Sequence, residues 1–202
     1  GQPETGSDLA MDLERIASNF GPENIAACIV EPIAGSTGTL VPPKGYLQKL
    51  REICDKHGIL LIFDEVITGW GRTGSSFAGH EFGVTPDIMT MAKATTNGVV
   101  PMGVVACKDE IYDSVMDASP MGSVELFHGY TYSGIPVAVA AALAVQDIFE
   151  KEDIFNRAKN LAPYFQKGLF SLQDLETVEN IRGYGMMGGI DMKMNTKPGK
   201  AG

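Results

Sequence analysis

Two short uninterrupted apolar runs, at residues 25–30 and 59–63, and a third, mostly apolar run at residues 88–92 stand out in the first half of the chain. Their length and their bounding proline, glycine and charged residues predict strands that are buried on both faces. An ionisable residue follows each run at once: Glu31, Asp64 and Lys93. Because open α/β sheets place their ligands at the carboxyl ends of strands, this pattern predicts a site at one edge of a sheet.

Helical periodicity and helix-end residues predict the elements between and after these strands. Pro43 opens and Gly58 closes a segment whose apolar residues share one face, which predicts a helix over residues 43–57. An earlier helix is expected to end near Phe20 and to be capped by Ser7 or Asp8. Two later helices are predicted over residues 136–150 and 154–171.

A fourth strand is predicted over residues 102–107, and its direction limits the fold. Only residues 94–101 connect it to Lys93, whereas a parallel crossover needs about a dozen residues or more. We therefore expect this strand to be antiparallel to the one before it. The result disfavours a TIM barrel, whose strands are all parallel, and predicts an α/β fold with a mixed, mostly parallel sheet covered by helices.

Two later strand-like runs, residues 178–183 and 187–192, indicate a second unit. We assign residues 1–150 to a large domain and residues 151–202 to the start of a smaller C-terminal domain. The sequence does not begin with Met and does not complete that second domain. It is expected to be a fragment of a longer chain.

Composition narrows the possible partners. A net charge of −9 over 202 residues repels nucleic acid and anionic membranes, and no apolar stretch is long enough to cross a bilayer. The three cysteines show no metal-ligand spacing, and their apolar surroundings favour a reducing, cytoplasmic setting. We therefore expect a soluble cytoplasmic protein that binds neither nucleic acid nor membrane and has no metal site.

Lys93 is the only charged residue between Ile88 and Cys107. An amine surrounded by apolar chain at a strand end is expected to be partly desolvated, and such an amine can form a Schiff base with a carbonyl. A lysine that extends along the rim of the sheet into water fits the same pattern equally well. The pattern alone leaves both interpretations open.

Asp64 and Glu65 directly follow the apolar second strand. A carboxylate beside a buried Phe63 needs a cationic partner, and a protonated pyridine nitrogen is such a partner. Val66 lies on the same face as Asp64 and would then lie against the pyridine ring. A helix N-cap pair and a metal-binding carboxylate pair remain as alternatives.

Several separate motifs occur in a recognisable order and spacing. They are IVEPI at 29–33, LVPP at 40–43, ILLIFDEVITGWGRTG at 59–74, TPDIMTMAK at 85–93, TNG at 96–98, PMG at 101–103 and HGYTYSG at 128–134. Together they resemble class III aminotransferases of fold type I, over about residues 25–191. The last three motifs are most similar to the ω-amino acid:pyruvate (β-alanine:pyruvate) aminotransferases.

The resemblance implies a pyridoxal-phosphate-dependent enzyme in which Lys93 carries the cofactor as a Schiff base. It implies that Asp64 holds the pyridine nitrogen and that Val66 packs on the ring. Thr131 is implied to bind the cofactor phosphate across a dimer interface, and Arg72 to shape a loop near the cofactor. The implied reaction is a ping-pong transfer of an amino group from an amino donor to a keto acid such as pyruvate, in a homodimer or a dimer of dimers.

Some residues depart from the family, and some of its parts are not present. Ser36 stands where ornithine and GABA aminotransferases usually have a second glutamate, and Trp70 stands where Phe or Leu is common. His128 is expected to position the loop that carries Thr131. In this family the main phosphate-binding loop lies upstream and the arginine for the substrate carboxylate lies downstream, so the fragment alone is expected to be inactive.

Alternative functions stay open at this point. Glutamate-1-semialdehyde aminomutase and other class III aminotransferases share the motifs around Asp64. A truncated subunit that forms dimers without catalysis would retain them as well. A Schiff-base aldolase could also use Lys93, but it would require an all-parallel barrel, which the short connection after Lys93 disfavours.

Overall fold

The computed structural model describes residues 1–121, 123–124 and 126–193 and contains a four-stranded mixed sheet in the order β1-β2-β3-β4. Its strands are β1 (Ala27–Val30), β2 (Leu60–Asp64), β3 (Ile88–Met91) and β4 (Val104–Cys107). The first three are parallel, whereas β4 is antiparallel to β3, with Met91 opposite Val104 and Ile88 opposite Cys107. The predicted α/β class, the mixed sheet and the direction of the fourth strand are all confirmed.

The described helices surround this sheet. They are α1 (Met11–Phe20), α2 (Tyr46–His57), α3 (Ala78–Phe82), α4 (Asp109–Asp117), α5 (Pro136–Lys151) and α6 (Ile154–Phe170). The sequence pattern did not predict α3, because its five residues are too few to show a helical period. It did not predict α4 either, although the acidic residues of its first turn are a start signal. No helix in the described part of the chain is both long and apolar enough for a membrane span.

Glycines set the ends of α2. The helix begins at Tyr46 rather than at the predicted Pro43, because Gly45 has φ 81 and the Tyr46 N–H closes a turn on the Pro43 carbonyl at 3.1 Å. It ends at the predicted place, before Gly58, whose φ of 66 lies in the left-handed region that favours glycine. The predicted end of α2 is therefore confirmed, and its predicted start at Pro43 is wrong.

The start of α1 also differs from the prediction. Residues Ser7–Ala10 form a 3-10 turn ahead of the helix, and no side chain caps either element. The predicted cap by Ser7 or Asp8 is therefore wrong. Gly6 begins the turn instead, because its carbonyl accepts the Leu9 N–H at 3.1 Å and satisfies the backbone without a side chain.

The hydrophobic core lies between α2 and one face of the sheet. Leu47, Leu50 and Ile53 of α2 form one buried cluster with Leu61 and Phe63 of β2. Burying a side chain of this size stabilises the fold by about 1.5–3 kcal/mol. Since alternate residues of a strand point to the same face, this packing fixes β2 and, with it, the position of the residue that ends the strand.

Two apolar surfaces of the described chain are uncovered. Ile29 of β1 is 62% exposed on the sheet face opposite the core, and Val105 of β4 is exposed as well. The prediction that residues 25–30 are buried on both faces is therefore wrong, because Ile29 is left exposed within the described residues. Leu143 of α5 is 63% exposed, although a helix as apolar on all sides as α5 is normally buried.

The described part of the chain ends in an antiparallel hairpin separate from the main sheet, formed by β5 (Val178–Tyr184) and β6 (Met187–Met192). Both predicted strands are confirmed. Tyr184 ties the hairpin to the first half of the chain, because its hydroxyl donates to Glu81 Oε1 at 2.7 Å. The assignment of residues 151–202 to a second domain stays a prediction, and residues 194–202 lie outside the described residues.

Candidate functional site

The carboxyl ends of β1, β2 and β3 lie along one edge of the sheet. Glu31 follows β1, Asp64 ends β2 and Lys93 comes shortly after β3. β2 and β3 are neighbours, with Asp64 opposite Thr90. Glu31 is used within its own loop, where its Oε2 accepts the Gly35 N–H at 2.9 Å. The edge therefore presents an acidic and a basic side chain from adjacent strands, as the strand pattern predicts.

Asp64 is half-buried, and the backbone that follows it orients its carboxylate. The Val66 N–H donates to Asp64 Oδ1 at 3.0 Å, a contact that sequence reasoning did not anticipate. One carboxylate oxygen is thereby fixed, while the group keeps the capacity to accept further hydrogen bonds from a ligand. The side chain of Val66 is also half-buried beside this carboxylate.

Glu65, next to Asp64, has a structural role that the sequence pattern left open. It is fully buried and accepts hydrogen bonds from the Thr68 hydroxyl at 2.7 Å, the Ala78 N–H at 2.9 Å and the Gly79 N–H at 2.8 Å. Two of these donors are the free backbone groups at the start of α3, so Glu65 acts as a cap from a distance. Glu65 is therefore used within the fold, whereas Asp64 is half-buried at the end of β2.

Lys93 begins the 3-10 turn Lys93–Thr95 and is exposed. The expected desolvation by its apolar neighbours is therefore wrong for the described residues, because the turn carries the side chain out of the apolar run. Its φ of 49 lies in the left-handed region, which costs a non-glycine residue about 1–2 kcal/mol. Backbone outliers of this kind cluster at functional sites, so the conformation supports a role for Lys93 beyond solvation.

Thr95, in the same turn, is a residue that sequence reasoning missed. It is buried and receives a hydrogen bond from the side chain of Trp70. Because 25 residues separate the two side chains, no local pattern could have indicated the contact. The departure at Trp70 was visible in the sequence, but its partner was not.

Arg72 holds its own loop together rather than reaching the edge. Its Nη1 donates to the Ile67 carbonyl at 2.8 Å, and its carbonyl accepts the Met186 N–H at 2.8 Å. Burial lowers the pKa of the Arg72 guanidinium, which is half-buried in the loop. This geometry agrees with the loop-shaping part of the expectation for Arg72.

Thr131 is exposed in the turn that precedes α5. Within the described residues, no hydrogen bond joins it to Asp64 or Lys93. His128 fixes the backbone of the same loop, because its Nδ1 accepts the Tyr130 N–H at 3.0 Å. That contact fits the expectation that His128 positions the loop.

Two cavities of the described chain involve residues of β2 or the segment just before β4. One of about 760 Å³ lies between Leu60, α4 and Phe127. Another, of about 370 Å³, lies between residues 101–103 and residues 132–135. The loop that contains Thr131 therefore lies near the segment that connects Lys93 to β4. Neither cavity is lined by Lys93 or Asp64, so the described residues form one wall of a site.

The chemistry of this wall limits what it can hold. An exposed amine and a half-buried carboxylate on adjacent strands fit a cofactor that offers a carbonyl carbon to the amine and a basic ring nitrogen to the carboxylate. Within the described residues, no group of three His, Cys, Asp or Glu side chains is arranged to hold a metal ion. The residues present therefore fit an organic cofactor bound through Lys93.

Comparisons with known proteins identify the family of the chain. Residues 3–200 match the protein family described as aminotransferase class-III. The chain is 55% identical over 193 residues to the omega-aminotransferase of Caulobacter vibrioides and 52% identical over 194 residues to the beta-alanine–pyruvate aminotransferase of Pseudomonas aeruginosa. The alignments cover 96% and 95% of this chain but 44% and 43% of those proteins, so the chain spans less than half of their length.

Solved structures give the same result for the fold. A thermostable (S)-enantioselective omega-transaminase from Thermomicrobium roseum matches with a TM-score of 0.86 at 41% identity, over 93% of this chain and 41% of that one. A thermostable omega transaminase mutant from Pseudomonas jessenii matches with a TM-score of 0.87 at 37% identity, over 92% of this chain and 41% of that one. The described architecture is therefore shared with transaminases over most of its length.

Proposed function

Since the chain belongs to the class-III aminotransferase family, we propose that it carries the amine of the active site in a pyridoxal-phosphate-dependent transaminase. The proposed reaction moves an amino group from an ω-amino acid or amine resembling β-alanine to a keto acid such as pyruvate. The observation that carries the proposal is that Asp64 and Lys93 reach one edge of the sheet from neighbouring strands. The names of the beta-alanine–pyruvate and omega-amino acid–pyruvate aminotransferase relatives support this donor and acceptor.

Lys93 holds the cofactor in this proposal. Its side chain is exposed at the edge, so a carbonyl carbon can reach the amine and form a Schiff base with it. When bound, pyridoxal phosphate supplies a ring that accepts the electron pair of the substrate carbon. The Lys93 amine would take a proton from the substrate carbon as a general base and deliver it to a carbon of the cofactor as a general acid.

Asp64 acts through its charge. Its carboxylate faces the edge and is oriented by the Val66 N–H, so it can form an ion pair with a pyridine nitrogen and keep that nitrogen protonated. We assign the Val66 side chain to contact with the face of the ring. Because Thr131 is exposed, we assign it to the cofactor phosphate in the site of a partner subunit.

The rest of the site belongs to a longer subunit in this proposal. The chain spans less than half the length of its relatives, and its edge forms one wall rather than an enclosed pocket. We assign the main phosphate-binding loop, the aromatic residue stacked on the ring and the arginine for the substrate carboxylate to the remaining part of that subunit. We also propose a cytoplasmic homodimer or dimer of dimers, whose interface completes each site.

Borohydride trapping tests the role of Lys93. The complete subunit is incubated with pyridoxal phosphate and reduced, and the modified lysine is identified by peptide mapping. We expect the label on Lys93 and its loss in Lys93→Arg, which keeps the charge but cannot form the imine. The matched control is Lys159→Arg, an exposed lysine on α6, which leaves labelling unchanged.

Activity separates this proposal from the alternatives. Lys93→Arg is expected to lower amino transfer from β-alanine to pyruvate by about a thousandfold or more, the order that loss of a catalytic group costs. Label on a different lysine, or full turnover by Lys93→Arg, would contradict the proposal. Conversion of glutamate-1-semialdehyde without pyruvate would favour the aminomutase, and a wild-type dimer that takes no label would favour a non-catalytic subunit.

A further inference from the structure

Trp70 connects the loop after β2 to the turn that carries Lys93. Its Nε1–H donates to Thr95 Oγ1 at 3.0 Å, and the Thr95 hydroxyl donates to the Ala92 carbonyl at 3.0 Å. The Thr95 N–H donates to the same carbonyl, also at 3.0 Å. Because Ala92 precedes Lys93 and Thr95 ends its 3-10 turn, these bonds hold the backbone on both sides of the amine-bearing residue.

The indole that makes this contact is itself held in place. Trp70 has φ 62, and its backbone N–H donates to the Ser76 carbonyl at 2.6 Å. Its ring packs on Phe77, with 5.0 Å between the ring centroids, and on Phe149 of α5, with 5.8 Å between the centroids. A donor fixed both by its backbone and by two aromatic neighbours can impose a position on its acceptor.

The turn needs such a constraint. Lys93 has φ 49, a conformation that a non-glycine residue keeps only where the surroundings determine it. Thr95 is 3% exposed, so its hydroxyl would have no water to replace a lost indole donor. The bond from Trp70 is therefore the contact through which the neighbouring loop reaches the turn.

We propose that Trp70 is a positioning residue for Lys93: its indole N–H, acting through Thr95, fixes the turn and thereby the direction in which the amine leaves the sheet. The inference rests on the proposed function, because this direction affects a reaction only if Lys93 holds the cofactor and transfers the proton. A misplacement of about 1 Å at a reacting group can lower a rate about a hundredfold, so a constraint of this kind has a measurable effect.

Packing alone would require less than an indole. Phenylalanine retains a ring that can contact Phe77 and Phe149 but has no N–H, so Trp70→Phe removes the donor and keeps most of the contact. If Trp70 only fills space, Trp70→Phe is tolerated in every measurement that concerns Lys93. If Trp70 positions the turn, Trp70→Phe and Thr95→Val both change the measurements that concern Lys93, in the same direction. Thr95→Ser keeps the hydroxyl and should behave like the wild type.

The first experiment measures the hydrogen bond. In the complete subunit, the indole N–H resonance of Trp70 is identified in a proton–nitrogen NMR spectrum by its absence in Trp70→Phe. We expect Thr95→Val to shift that resonance toward the position of a free indole and to accelerate its exchange with solvent, and Thr95→Ser to leave it in place. An indole resonance unchanged in Thr95→Val overturns the inference, whatever the activity of the protein.

The second experiment measures positioning in the complete cofactor-loaded subunit. We expect Trp70→Phe and Thr95→Val each to lower kcat about ten- to a hundredfold with KM changed less than about twofold. The double variant should be no slower than Thr95→Val alone, because Thr95→Val already removes the acceptor of the Trp70 indole N–H together with the hydroxyl that donates to the Ala92 carbonyl. Thermal unfolding of each variant identifies any loss of activity that comes from misfolding.

The outcomes separate this inference from the proposed function. Unchanged kcat in folded Trp70→Phe and Thr95→Val, or effects that multiply in the double variant, overturns the positioning role while the proposed function stands. If wild-type protein takes no label at Lys93 and transfers no amino group, the proposed function fails. The NMR result for Thr95→Val then still decides whether the link to Trp70 exists.

Discussion

Residues 60–98 and residues 126–151 both carry residues of the proposed site, but their order comes from different sources. In the first region Glu65 is fully buried with three hydrogen bonds, and Trp70 ties one loop to the next. In the second region Leu143 of α5 and Tyr132 are largely exposed. Contacts within the chain hold the first region in place. In the second region, the side chains of Leu143 and Tyr132 are left largely uncovered by the described residues.

This difference suggests how the active site is divided. In the proposed division, the part that carries Lys93 and Asp64 is held by hydrogen bonds within the described chain, such as the one from Trp70 to Thr95. The loop that carries Thr131 is exposed, which agrees with its proposed role at a subunit interface. We expect association of subunits to complete the proposed site.

The strongest way to break the comparison is to remove the buried carboxylate of the first region. Glu65→Ala leaves the Thr68 hydroxyl and the N–H groups of Ala78 and Gly79 buried without an acceptor. Since each buried unsatisfied donor costs about 1–3 kcal/mol, we expect the free energy of unfolding to fall by about 3 kcal/mol or more. Urea unfolding measured by circular dichroism tests this.

The matched change in the second region is Glu150→Ala, at an exposed position near the end of α5. It should alter the free energy of unfolding by less than about 0.5 kcal/mol. A similar loss in both variants would show that the two regions do not differ in the way described, and a loss below about 1 kcal/mol for Glu65→Ala would contradict its role as an internal cap.

A smaller effect is expected at Asp87, which precedes β3. Burial raises the pKa of Asp87, but hydrogen bonds from Lys108, the Leu61 N–H and Arg51 more than offset this, and the net pKa lies below its ordinary value. A depressed folded-state pKa stabilises the protein above the unfolded-state pKa of about 3.9, and this stability is lost as pH falls through the folded-state pKa.

Asp87→Asn should therefore lower the free energy of unfolding at pH 7 by about 2 kcal/mol and flatten its decline between pH 4 and lower values, roughly where the carboxyl titrates. The comparison is Asp147→Asn on α5, whose exposed bond to Lys151 spans 3.2 Å. There we expect a change of at most about 0.5 kcal/mol. Equal acid profiles for wild type and Asp87→Asn would refute the assignment.

The smallest effect on stability is expected for Leu143→Gln, which tests whether an exposed apolar residue of the second region contributes to the stability of the chain. Because Leu143 is 63% exposed, the free energy of unfolding of the chain should change by less than about 0.5 kcal/mol. Leu50→Ala in the core, by contrast, should cost about 2–5 kcal/mol. If α5 is a contact surface, sedimentation analysis of the complete subunit should show weaker association for Leu143→Gln only.

Much of the fold could be predicted because local signals determine it. The short connection after Lys93 was enough to give the direction of β4, and the left-handed Gly58 was enough to end α2. Apolar runs located the strands, and their last residues therefore located Asp64 and Lys93 at one edge. These features depend on neighbours in sequence, which a pattern can represent.

Apart from the local errors at the start of α1 and α2, what the pattern missed concerns contacts between distant residues or surfaces. Nothing near Glu65 in sequence indicates that it binds the start of α3, because that helix begins 13 residues later. The burial expected for Ile29 and the desolvation expected for Lys93 both assumed that apolar sequence is covered, whereas both residues are exposed in the described part of the chain. The link from Trp70 to Thr95 has the same character, since its two ends belong to different loops.

The β3–β4 hairpin has a further consequence. Ile88 lies opposite Cys107, and just outside this pair Lys108 Nζ binds Asp87 Oδ1 at 2.7 Å. The two ends of the segment between them therefore lie side by side in the fold. Exchange of residues 88–107 between homologues would transfer Lys93 and its turn together. The recipient would keep its own residue at position 70. Recombination could thus vary how the amine is presented without rebuilding the rest of the scaffold.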